Sequence, residues 1–282
     1  MRKTRRNFIG ISSLGMLGVI PLQGNQIVQT KSLNASETAL YSKYPTTHPD
    51  DISAVVGASH TNFEKVKELV DARPELAKAT WDWGFGDIES ALGAASHMGR
   101  KDIAEYLMSH GARADIFTFA MLGKLKVVKC IIEAVPGIES LLGPHGFTLM
   151  HHANIRIRRK NVEGTEKSEQ EALVEYLESI GGADIGSKSL EITEEEKQIY
   201  VGKYSFGTGD DEYFEVKLNS RKSMSLARGD SFGRTLNKVD EHTFAPGGGP
   251  SVRIVFDVAD KSATALTIHD PEVIVKASKM ME

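Results

Sequence analysis

"SALGAASHMGRKDIAEYLMSHGA", residues 90–112, decides how the chain is read. Small residues dominate its first seven positions, Gly99 interrupts, and Ile103, Tyr106 and Leu107 then fall three and four apart on one helix face. Two other stretches repeat the second half: NFEKVKELV at 62–70, aligning Val66, Leu69 and Val70, and GKLKVVKCII at 123–132, aligning Leu125, Val128, Ile131 and Ile132. Each opens on Gly or Asn. Three residues earlier stands Ser59, Ser96 or Ala120, small enough to let a preceding helix come close. Self-similarity of this kind predicts a stack of helix pairs that bury one continuous core.

The pattern resembles the ankyrin repeat. Ser90-Ala91-Leu92-Gly93-Ala94-Ala95-Ser96 stands where that family has T-P-L-H-x-A-A, and Gly111-Ala112 closes the outer helix. A fourth copy runs Gly146-Phe147-Thr148-Leu149-Met150-His151-His152-Ala153 and, after an insertion, ends in EALVEYLESIGGAD at 171–184. The first copy carries Ala58 to Asn62 and the third Phe119 to Gly123. Their spacing is uneven, 37 residues from Asn62 to Gly99 but 24 from Gly99 to Gly123, so the third copy has lost most of its hairpin. The resemblance spans about 50–185 and implies an α-solenoid of about four repeats that binds a protein partner on its concave face.

The adjacent His151 and His152 invite a metal or catalytic reading. The resemblance instead gives His151 a structural task, tying the turn before the inner helix, and leaves His152 as a variable neighbour. Adjacent helical residues do not share a face. With His97 and His145 as the other contributors weighed, and no H-x-x-x-H or C-x-x-C spacing in the chain, no metal ligand, cofactor or catalytic residue is expected.

Between the first two copies, TWDWGFGDIES at 80–90 is the aromatic-richest stretch. Trp81, Trp83, Phe85 and Asp87 read either as a recognition finger or as a cap buried against the first repeat, and Phe117 and Phe119 carry the same two readings. Together with His97, His145 and Phe147 they form the expected partner-binding set. The insertion 154–170, with Arg156, Arg158, Arg159 and Lys160, reads as a solvated charged loop or as a contact for an acidic partner.

After residue 195 helical spacing gives way to short alternating runs: 200–205, 213–218, 223–226, 235–239, 251–257, 263–268 and 273–277. They predict an antiparallel meander closing into a small β-barrel or curled sheet. Tyr200-Val201-Gly202-Lys203-Tyr204, Phe244 and VRIVFD resemble the lipocalin-like module appended to β-lactamase-like hydrolases, which implies a fold and no chemistry. Phe214, Phe244, Val255 and Leu266 would line a pocket for a small apolar ligand or fill a solid barrel. Gly229-Asp230-Ser231-Phe232-Gly233 satisfies G-x-S-x-G, but a strand pattern follows where a serine hydrolase needs a helix, so a hairpin turn is expected.

Residues 1–23 place four basic and no acidic side chains before an apolar run, and Thr4 to Ile9 resembles the twin-arginine export motif. Periplasmic or secreted localisation follows as an expectation, with an uncleaved anchor as the alternative; residues 24–50 read as a linker. Without that segment 30 Lys and Arg face 38 Asp and Glu, a formal charge of −8, which argues against nucleic acid as partner. Cys130 is the single cysteine, so packing replaces disulfides. The sequence is thus read as α + β and multidomain, with ankyrin repeats over 51–185 and an antiparallel β domain over 195–282. The expected function is that of an exported, non-catalytic protein-interaction scaffold. The alternative is binding or hydrolysis of a lipid, saccharide or peptide involving the β domain.

Overall fold

The computed structural model describes residues 41–280 apart from 230, 232 and 272; the expected export signal lies outside them. Residues 45–282 belong to one compact unit. Its first part is a succession of helix pairs: α1 (Pro49–Ala58) with α2 (Phe63–Ala72), α3 (Ala91–His97) with α4 (Lys101–Ser109), α5 (Ile116–Met121) with α6 (Leu125–Ala134), and α7 (Leu149–Arg158) with α8 (Gly164–Ile180). The first helices of successive pairs pack on one another.

Local chemistry explains where these helices begin and turn. The side chains of Ser90, Asp115 and Thr148 accept the backbone N–H groups of Gly93, Thr118 and His151, capping α3, α5 and α7. Between the helices of the second and third pairs the chain reverses through Gly99 and Gly123, at φ +68° and +69°, where a side chain would be strained. Val66, Leu92, Ile103, Leu107 and Met121 fill one core, and Val128, Leu149, Leu173 and Leu177 a second. Gln170, fully buried, donates from Nε2 to the carbonyls of Ala120 and Ala153 at 2.7 and 2.6 Å, pinning α8 across α5 and α7.

Only one finger is a β-hairpin among the described residues. β1 (Thr80–Asp82) pairs with β2 (Ile88–Ser90), placing Trp81 opposite Glu89. The segment between α4 and α5 has no strand. The expected loop at 154–170 is mostly helix, because α7 continues to Arg158 and α8 starts at Gly164. Its charges are not all solvated either: Arg156 is buried and its Nη2 donates to Glu166 Oε2 at 2.6 Å.

Past the short α9 (Glu194–Tyr200) come β3 (Gly202–Ser205), β4 (Tyr213–Leu218), β5 (Met224–Arg228), β6 (Arg234–Asp240), β7 (Thr243–Pro246), β8 (Arg253–Ala259), β9 (Ser262–Asp270) and β10 (Val273–Lys279). These eight antiparallel strands close into a barrel in the order β10-β3-β4-β5-β6-β7-β8-β9, leaving no open edge. Seven of them match runs expected from alternation; β7 is additional, and Tyr200 ends a helix instead of opening a strand. Tyr200, Phe244 and Phe256 pack ring against ring with centroids 4.9–5.5 Å apart in the interior. Phe214 and Leu266 join them in the barrel core, while Val255 is only partly buried. Ser231 lies between β5 and β6, its N–H donating to the Arg228 carbonyl and its hydroxyl accepting the Arg228 N–H, so the serine sits in a connection from strand to strand.

Candidate metal centre

Where the finger, the ends of two first helices and the turn before α7 meet, three imidazoles surround one carboxylate. His60 follows the end of α1, His97 is the last residue of α3, Glu89 lies on β2, and His145 sits in the Gly143–Gly146 turn at φ +59°. Their ligand atoms all lie within 4.8 Å of one another. Glu89 Oε2 is 3.3 Å from His60 Nε2 and 3.4 Å from His145 Nε2, and Glu89 Oε1 is 3.0 Å from His97 Nδ1. The Glu89 side chain is wholly buried, whereas those of His60 and His145 keep 24% and 21% of their surface.

A second layer of contacts orients two of the rings. His60 Nδ1 lies 3.1 Å from the Gly57 carbonyl, which can only accept, so Nδ1 donates and the neutral ring offers Nε2 as a lone pair. His145 Nδ1 lies 2.5 Å from Asp87 Oδ2, and the His145 backbone N–H donates to Asp87 Oδ1 at 2.8 Å. Arg234 Nη1 also lies 3.2 Å from His145 Nδ1. Glu89 can be answered either by a proton on a facing ring nitrogen or by a cation held among the rings. Glu89 Oε1 and His97 Nδ1 are buried and lack any hydrogen-bond partner despite their proximity. Trp83 Nε1 donates to Glu89 Oε2 at 2.8 Å and orients the carboxylate.

The electrostatics reflect the same crowding. Burial pushes the Glu89 carboxyl up, but the three facing imidazoles outweigh it and hold the group well below the ordinary carboxylate range. Burial is also the largest influence on Asp87, again outweighed, here by the ring and backbone bonds to His145. Burial pushes His97 below its ordinary value, against the opposing pull of Glu89. It opposes the charge on His145 as well, yet Asp87 and Glu89 together raise that ring to about 9. A proton on His145 thus sets one positive charge beside the two carboxylates, and Arg234 sets another against Asp87.

The ligand set suits a borderline divalent transition metal. Bonds of about 2.0–2.1 Å place tetrahedral ligand atoms about 3.3 Å apart, close to the separations from Glu89. Three imidazoles and one carboxylate, with no thiolate, favour zinc or its neighbours over magnesium or calcium. The Asp87–His145 and Gly57–His60 contacts are the outer-shell bonds that orient ligating histidines.

Of the residues expected to meet a partner, the fold gathers Trp83, Asp87, His97, His145 and Phe147 here; the Phe147 ring stacks on His97 with centroids 5.0 Å apart. Trp81 packs beside the first helical core, Phe117 lies against His152, and Phe119 packs beside the second core. Phe85 lies against the barrel core. The adjacent histidines stay outside the cluster. His151 Nε2 meets the His97 carbonyl at 3.0 Å, tying α7 to α3. His152, read as the variable neighbour, is fully buried and bonds the Thr148 carbonyl from Nδ1 at 2.9 Å.

Sequence reasoning missed His60 and Glu89. A signal for His60 existed: it precedes Asn62 by the same two residues by which His97 precedes Gly99, so the two histidines are equivalent positions of successive helix pairs. Glu89 carries no comparable mark. Comparison with protein-family models, with curated proteins and with solved structures gives no match, so the chemistry of the centre rests on its own geometry.

Proposed function

We propose that the protein binds one divalent transition-metal ion through His60, Glu89, His97 and His145, and that the ion consolidates the fold without performing catalysis. The observation that carries this reading is the convergence of three imidazoles on one buried carboxylate, two of the rings being held by outer contacts to the Gly57 carbonyl and to Asp87. Four protein ligands make a closed set, the pattern of structural sites, where catalytic sites keep a position for water. The frame is a stack of ankyrin-type repeats, a reading supported by the capped first helices and the turns at Gly99 and Gly123. Export through the twin-arginine-like leader belongs to the same proposal.

Elemental analysis after dialysis against micromolar zinc tests it directly. One equivalent of metal per chain is expected, falling below a tenth in a His60→Ala/His97→Ala double variant. No retained metal in the native chain would reject the proposal.

Recognition of a protein partner by the first helices is a second reading. It is favoured by a hollow of about 280 Å³ whose lining includes His151, Asn154, Arg158 and Asp184. Arg158→Glu should then abolish capture of that partner while metal content stays unchanged.

A further inference from the structure

We infer that the barrel supplies the outer half of the metal centre through Arg234 and Gly248, so that metal occupancy and docking of the barrel on the repeats are thermodynamically linked. The inference rests on the metal reading above and extends it to a regulation of the same site.

Asp87 is the hinge of the argument. It is 2% exposed and belongs to the repeat part, yet its Oδ2 accepts both from His145 Nδ1 and from Arg234 Nη1, the latter at 2.6 Å. Arg234, at the start of β6, is itself buried and 147 residues distant in sequence. Its guanidinium also lies 5.6 Å from the centre of the Trp83 ring, and Trp83 in turn holds Glu89. One barrel side chain thus touches the supports of two proposed ligands. A lone carboxylate buried at Asp87 would be costly, and Arg234 offsets that cost while fixing which oxygen faces His145.

The barrel backbone closes the other side. Gly248, in the loop between β7 and β8 at φ +82°, approaches so closely that an added Cβ would overlap the Asp87 carboxyl group. The neighbouring Gly249 sits similarly against the Phe85 carbonyl. Shifting the barrel therefore shifts Asp87, and Asp87 carries both the ring and the backbone N–H of His145. Linkage is reciprocal: whatever factor docking contributes to metal affinity, the metal returns to docking. Arg234 and Asp87 act here as positioning residues, since they reach the proposed ion only through other side chains.

The experiment combines zinc affinity by chelator competition, the visible spectrum of the cobalt(II) form, and amide hydrogen exchange, all on the full chain. In the native protein, zinc is expected to slow exchange across residues 234–249. Arg234→Met and Gly248→Ala are each expected to weaken zinc binding by tenfold or more, the scale set by outer-shell partners, and to shift the cobalt bands; Arg234→Lys should recover part of the affinity. Native exchange at 234–249 that ignores bound zinc would overturn the coupling, and so would native affinity and spectra in both variants. Failure of the native chain to bind zinc or cobalt would overturn the centre itself, and the coupling with it. The exchange measurement needs no variant, so a substitution that unfolds the barrel does not shield the inference.

Discussion

Glu89→Gln is the most informative single perturbation. The amide keeps the side-chain volume and an oxygen that can accept from Trp83 Nε1, which now donates to Glu89 Oε2 at 2.8 Å. It removes the one anionic group that faces all three imidazoles, at 3.0–3.4 Å. Losing an outer-shell partner costs about 10–100-fold in metal affinity, and losing this ligand should cost at least the upper figure. Zinc at a hundred times the native Kd stabilises the folded state by about 2.7 kcal/mol; a hundredfold weaker site leaves about 0.4 kcal/mol. For a body of this size that corresponds to a rise in Tm of roughly 5–10 °C in the native chain and about 1–2 °C in the variant. Differential scanning calorimetry, with zinc and with chelator for each protein, reads the two differences independently of any change in metal-free stability. A zinc-induced rise of equal size in both proteins would refute the reasoning.

Three other outcomes follow from the packing. His152, lowered by burial to about 3, folds as a neutral ring and gains a proton on unfolding below its ordinary value of 6.5. Its contribution to stability is complete above pH 6.5 and is lost as the pH falls toward 3. His152→Gln should therefore flatten the dependence of denaturant stability on pH in that window by up to about 1.4 kcal/mol per pH unit; an unchanged slope would show the ring is not buried neutral. Gln170→Ala deprives the Ala120 and Ala153 carbonyls of a donor and should cost about 2–4 kcal/mol in urea denaturation, with a loss below 0.5 kcal/mol counting against the pinning role of α8. Ser231, held in a turn by Arg228, should not react with a fluorophosphonate probe, and labelling lost in Ser231→Ala would restore the hydrolase alternative.

Much of the fold was legible because apolar side chains recur at the period of the element that buries them. Val66, Ile103, Leu107 and Val128 face helical cores, and Phe214, Val216, Ile254 and Phe256 alternate into the barrel. β7 escaped notice because Pro246 and the glycines after it read as loop, although Phe244 packs in the barrel core. Charge alone misled at 154–170, since Arg156 is neutralised by Glu166 ten residues on and needs no solvent. The centre was half visible. His97, His145, Trp83 and Asp87 stood out by residue type, but Glu89 gains its role from the register of β1 against β2, and Arg234 from a contact across 147 positions. Neither has a local spacing to betray it, whereas the shared offset of His60 and His97 within successive helix pairs does.

X-ray absorption at the zinc edge of the loaded native chain tests the central claim most directly. Three imidazole nitrogens and one carboxylate oxygen in the first shell are predicted, collapsing to fewer imidazoles in His97→Ala. A shell of water oxygens alone, or one containing sulfur from the exposed Cys130, would contradict it.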